Sequence, residues 1–216
     1  MNLAMISCEA YSDAWPPFFA LLDKFWPDHP PVTLITDRVP SEAILPRSCA
    51  AFCVGNLSWC GILEAYALFQ TKPFLLLQED FFLTANVKTE LVAAALAQMG
   101  PNIGGVRLYP CPGGGVSLES DRRIGIAAQS YRISCQATIW RPQFLAELLS
   151  SIGPGSAADF ELKGSVICQG TMLAWMRECH PWPIEYLCSA ITRGKWTPDA
   201  KKLCDVHGIP VDWSRR

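Results

Sequence analysis

The sequence predicts an α/β domain with a mostly parallel central sheet, and three features carry that expectation. Short apolar runs recur without polar–apolar alternation, so the strands are expected to be covered on both faces. Segments with apolar residues at helical spacing separate the runs, the pattern of βαβ units with right-handed crossovers. The 216 residues, half of them hydrophobic and 18% charged, suffice for one core and exclude disordered and fibrous classes.

Taken in order, residues 3–8, 32–36, 51–54, 74–77 and 105–109 read as five strands. Helices are expected at 16–25, 58–69 and 87–99, with Leu63, Tyr66, Ala67 and Gln70 along one ridge of the second. The third is bounded by Asn86 as N-cap and by Gly100-Pro101 as stop. Beyond Gly113-Gly114-Gly115 the pattern changes. Residues 131–140 alternate like a strand, with Ile133, Cys135, Ala137 and Ile139 on one face. Pro142 opens a helix that Gly153-Pro154-Gly155 breaks, and a further segment runs from Ser156 to about Cys179. Thr197-Pro198 starts a last helix that Gly208 closes. The whole is read as a single domain over 1–216, with 1–110 a nucleotide-binding half and 111–216 an acceptor-side half.

Composition removes several function classes. A net charge of -2 supplies no basic field for nucleic acid. The start lacks a basic leader, and the most apolar stretch, 59–83, is interrupted by Glu64, Lys72, Glu79 and Asp80, so no transmembrane segment and a cytoplasmic location are expected. The ten cysteines contain no C-x-x-C pair and are read as buried, reduced, small hydrophobes. His29, His180 and His207 lie far apart and form no ligand pattern. Eight tryptophans leave room for an oligomer interface.

The chemistry-bearing feature is Gln78-Glu79-Asp80 at the end of the fourth strand. Ligands of open α/β sheets bind beyond strand carboxyl ends, and carboxylates there can hold Mg²⁺ or Mn²⁺ against a diphosphate. Successive strand side chains point to opposite faces, so one acid faces the ligand, and Asp80 is preferred. The alternative is a strand leaving into solvent through charged residues. Gly113-Gly114-Gly115 lacks the spacing of a dinucleotide fingerprint or P-loop and reads as a mobile loop. Arg107, Arg132 and Lys163 are either phosphate contacts or surface charges.

The block from Phe74 to Leu83 resembles the acidic strand end of GT-A glycosyltransferases, where a D-x-D or related pair holds metal and nucleotide sugar. The segments before it occur in a similar order: Ser7-Cys8-Glu9-Ala10-Tyr11-Ser12, Leu34-Ile35-Thr36-Asp37, then Gly55-Asn56-Leu57-Ser58-Trp59. Residues 134–140, 159–165 and 194–212 look like acceptor-side segments of uncharacterised bacterial glycosyltransferase-like proteins. Gln78 departs from the pattern, standing where D-x-D has its first aspartate, which leaves metal dependence open.

The resemblance implies a nucleotide-diphospho-sugar transferase fold, a three-layer sandwich. It implies transfer of a sugar from a UDP- or GDP-linked donor to a glycan or small-molecule acceptor, with Mn²⁺ or Mg²⁺ at Asp80. Ser7, Tyr11, Asp37, Trp59, Glu79 and Asp80 would then line the donor site, and Gln136 and Trp140 the acceptor site. Tyr11 is either a base-stacking ring or a surface aromatic, and Trp140 a sugar platform or a core residue. Glu161 is the preferred general base over Asp159, because Ser156-x-x-Asp159 has capping-box spacing. A sugar nucleotidyltransferase is a rival, although residues 7–15 hold no Gly, Lys or Arg. A non-catalytic binding domain of the same fold is the other.

Overall fold

The computed structural model describes residues 1–41, 43, 45–111, 114–127 and 131–216. The expected alternation is present: β1 (Asn2–Ile6), α1 (Trp15–Phe25), β2 (Val32–Thr36), β3 (Cys49–Cys53), α2 (Trp59–Leu68), β4 (Phe74–Gln78), α3 (Thr89–Ala97) and β5 (Ile103–Arg107). Then follow β6 (Gly114–Ser117), β7 (Ile124–Ala127), β8 (Thr138–Trp140), α4 (Pro142–Ile152), α5 (Ala157–Ile167) and β9 (Thr171–Trp175). A short ribbon, β10 (Ile191–Thr192) and β11 (Lys195–Trp196), leads into α6 (Pro198–His207).

The strands form one nine-stranded sheet in the order β3-β2-β1-β4-β8-β5-β9-β7-β6. The pairings set β7 and β8 antiparallel to their neighbours and run the other strands one way, so the sheet is mostly parallel. Within β1 and β4 the side chains sort strictly by parity. Leu3, Met5, Leu75 and Leu77 join α1 and Val92 of α3 in one core, while Ala4, Ile6, Phe74 and Leu76 join α2, α4 and α5 in the other. A sheet buried on both faces is a three-layer α/β sandwich, as expected.

Several local expectations are corrected. β3 is the sheet's outer edge and partly exposed, so its doubly covered reading fails. All ten cysteines are free, but only Cys60, Cys168 and Cys204 are buried; Cys53 and Cys188 are exposed. Lys88, not Asn86, sits at the N-cap of α3, without a side-chain cap. Of residues 131–140 only the last three form a strand. The segment from Ser156 ends as a helix at Ile167, and the apolar Thr171–Trp175 returns as β9. Gly114 and Gly115 open β6 rather than a loop, and Gly113 lies outside the described residues. The caps at Ser156, Thr197 and Gly208 form as expected, Gly208 in the left-handed region at φ 66°. Among the described residues no helix is long and apolar enough to cross a membrane.

Candidate functional site

The site grows from the carboxyl end of β4. After Gln78 the chain turns, with Phe81 N–H donating to the Gln78 carbonyl at 3.1 Å, and Phe81, Phe82 and Leu83 anchor the turn in the core. The segment 186–190 returns alongside: Leu187 N–H donates to Phe82 and Ala190 N–H to the Asp80 carbonyl, at 2.9 and 2.8 Å. That return brings Ser189 onto the acidic tip, where its hydroxyl donates to Asp80 Oδ2 at 2.5 Å. The Ile191 amide bonds the same carboxylate. Asp80 Oδ1 is buried and, among the described residues, has no partner. Burial raises the Asp80 pKa although the Ser189 and backbone bonds oppose it.

Glu79 turns the other way, towards β1. Burial first, then the neighbouring Asp80 charge, pushes its pKa up to about 8, while its bond from Ser7 works against that. The Ser7 hydroxyl also accepts the Trp15 indole N–H at 2.7 Å. Ser7 is thus a buried support beneath Glu79.

At the ends of β1 and β2, Asp37 Oδ1 accepts from the Glu9 amide (2.7 Å), the Arg38 amide (2.9 Å) and the Thr36 hydroxyl (3.1 Å). Burial acts to raise its pKa, but these donors prevail and hold it below the usual carboxylate value. Asp37 therefore ties the two loops together. Tyr11 does not present a free stacking face on both sides: the Arg216 guanidinium lies 4.0 Å from its ring centroid. Arg216 in turn grips Asp13 through two bonds of 2.7 and 2.8 Å. Beside this pair runs a cleft of about 410 Å³ lined by Ser12, Asp13, Trp15, Pro40, Pro210 and Arg215. Asp80 is not among its lining residues.

In the second half of the chain, Gln136 reaches Cys188, the neighbour of Ser189. Its Oε1 accepts the Tyr186 hydroxyl at 2.8 Å, and its Nε2 donates to Cys188 Sγ at 3.5 Å. The Tyr186 oxygen accepts the Ala137 amide at 3.0 Å. Gln78 bonds the Cys135 side chain, and Glu161 Oε1 accepts the Cys135 amide at 2.8 Å. Glu161 is thereby a backbone clamp for the 135–136 segment. The remaining expected site residues lie elsewhere. Trp140 is 1% exposed and packs edge-on against Phe160 at 5.7 Å, so it offers no sugar platform. Trp59 packs on the same ring at 5.4 Å. Asp159 closes the capping box with Ser156 and pairs with Lys163 at 3.0 Å, which accounts for it structurally. Arg132 donates to the Cys168 carbonyl at 3.2 Å.

Glu79 and Asp80 thus share one strand end, and Gln136 is joined to it through Cys188, the neighbour of Ser189. Ser189, Cys188 and Tyr186 complete the cluster, and sequence reasoning missed them because residues 180–190 carry no periodicity that would place them against β4. Among the described residues no three His, Cys, Asp or Glu converge as a metal cage. What the tip offers is one unpartnered carboxylate oxygen. A divalent ion that takes its other ligands from phosphates and water fits such a donor.

No family profile matches the chain, and no curated protein matches it. Among solved structures, the galactosyltransferase LgtC in complex with donor and acceptor sugar analogues superimposes with a TM-score of 0.57 at 9% identity, covering 96% of this chain and 95% of that one. An active-site mutant of LgtC gives 0.54 at 9% identity over the same shares. At that identity the likeness establishes the fold, which is GT-A-like, and nothing finer.

Proposed function

We propose that the chain is a glycosyltransferase that binds a UDP- or GDP-linked sugar with its diphosphate at Asp80. The observation that carries this reading is the buried, unpartnered Asp80 Oδ1 at the tip of β4 in a GT-A-like sheet. An isolated buried carboxylate oxygen is costly, so a site that keeps one is poised for a ligand. Bound Mn²⁺ or Mg²⁺ would supply Lewis-acid neutralisation of the leaving diphosphate. Asp80 would hold that ion, its carboxylate oriented by Ser189 and the Ile191 amide. Glu79, seated on Ser7, restricts the tip on the β1 side. Gln136 faces the sugar, fixed by Tyr186 and Cys188, and excludes alternative placements of the acceptor. In this scheme Glu161 positions the 135–136 backbone through the oxygen that accepts the Cys135 amide.

A non-catalytic nucleotide-sugar-binding domain is the second reading, favoured by Gln78 in place of an acid. The test is thermal melting with UDP- and GDP-sugars plus Mn²⁺. A ligand at a hundred times its dissociation constant stabilises by about 2.7 kcal/mol, roughly 5–10 °C for a chain of this size. Turnover of the stabilising donor supports the transferase. Binding without turnover supports the second reading, and no shift with any nucleotide sugar defeats both.

A further inference from the structure

Arg107 ends β5 with its guanidinium turned into the protein, the whole residue only 2% exposed. Nη1 donates to the Tyr131 carbonyl at 3.1 Å, while Nε and Nη2 are buried and, among the described residues, meet no acceptor. Among the described residues no carboxylate pairs with it. Glu161 acts on it only through space, with one oxygen already given to the Cys135 amide. Burial lowers its pKa to about 10, so the group is still charged at neutral pH. A buried, unpaired guanidinium is among the costlier groups a fold can carry, and one bond to a carbonyl gives it no sufficient structural reason.

Its place suggests what the missing partner is. β5 lies one strand beyond β8 from β4 and runs in the same direction as β4, so Arg107 and the acidic tip share the carboxyl-end rim of the sheet. Tyr186, which holds Gln136, lies close enough to influence the Arg107 charge. Nε and Nη2 form a single edge of the guanidinium, the two-donor edge that takes a carboxylate or phosphate side-on. Tyr131, whose carbonyl holds the other arm, is nearly half exposed at 47% and sits at φ 56°, in the left-handed region that favours glycine.

We propose that Arg107 recognises an anionic substituent, a carboxylate or a phosphate, on the sugar that this site transfers or receives. The inference rests on the transferase reading and adds the class of sugar. The neutral dipole of the Tyr131 carbonyl engages one arm of the guanidinium, and the ligand's two oxygens take the other edge.

The experiment measures binding of glucuronate, glucose 6-phosphate and glucose to the full chain by titration, with UDP and GDP plus Mn²⁺ as a separate arm. The expected result is at least tenfold tighter binding of one acidic sugar than of glucose. The better of the two identifies carboxylate or phosphate as the group recognised. In Arg107→Met that preference disappears, with the melting temperature unchanged or higher and nucleotide affinity within twofold. Arg107→Lys, which keeps the charge and loses the two-donor edge, is the second variant should the first not fold, and it too is expected to lose the preference. If nucleotides bind while acidic and neutral sugars bind alike, or if Arg107→Lys keeps the full preference, the Arg107 inference is overturned and the transferase reading stands. If neither nucleotides nor sugars bind, that reading falls and the inference with it.

Discussion

Ser189 donates its hydroxyl to Asp80 across 109 residues of sequence, and that 2.5 Å bond joins the last irregular segment to the tip of the central sheet. Among the described residues it leaves one Asp80 oxygen held and the other buried without a partner. Ser189→Ala is therefore expected to weaken nucleotide-sugar binding. A hydrogen bond to a charged group contributes about 1.5 kcal/mol or more, so roughly a tenfold loss of affinity is expected. Titration calorimetry on the variant reads this directly, and wild-type affinity would show that Ser189 does not orient the carboxylate.

Glu161 separates two roles. As a backbone clamp on Cys135 it needs only an acceptor oxygen, which glutamine keeps. Glu161→Gln is expected to retain turnover within about threefold, whereas Glu161→Ala lowers both turnover and melting temperature, by about 1–3 kcal/mol of stability for the orphaned amide. A pH–rate profile that loses its acidic limb only in Glu161→Gln would instead make Glu161 the general base.

Asp37 predicts a pH dependence of stability. Its folded pKa lies below the ordinary value of 3.8 because amide and hydroxyl donors favour the carboxylate. A depressed folded pKa contributes stability that is present above the unfolded value and is lost as pH falls through the folded one. Asp37→Asn is thus expected to melt several degrees below wild type at pH 7, with the gap closing at low acidic pH. A gap that stays constant between pH 7 and pH 3 would contradict this account.

Phe144 predicts a packing limit. Its ring lies between Gly104 and Gly170, where an added Cβ would approach to 2.4 and 2.2 Å. Gly170→Ala is expected to cost about 1–3 kcal/mol by overpacking. Phe144→Leu should restore part of it in the double variant, as measured by denaturant unfolding. A single variant as stable as wild type would show that the ring moves freely.

Most strands that are buried on both faces were legible in sequence. Val32–Thr36 and Phe74–Gln78 stand out as apolar runs because helices cover them from both sides. β7 and β9 were not legible. Ile124–Ala127 is too short and glycine-bearing to show a period, and Thr171–Trp175 follows a helix without a strong turn signal. At the site, the acidic pair was visible because charge interrupts an apolar run. Ser189 and Tyr186 were not, because their roles arise from a return segment held by backbone bonds to Phe82 and Asp80, which leaves no pattern in side-chain types. Trp140 misled for the converse reason: an aromatic residue suits a sugar platform and a core equally, and it packs on Phe160 in the core.

The most direct measurement is titration of UDP and GDP, each with Mn²⁺, into the wild-type chain and into Asp80→Asn, with folding of the variant checked by its melting curve. The account predicts saturable binding of at least one nucleotide to the wild type and at least a thirtyfold loss in a folded Asp80→Asn, about 2 kcal/mol. Equal affinity in both proteins would contradict the placement of the diphosphate at Asp80, and with it the proposed function.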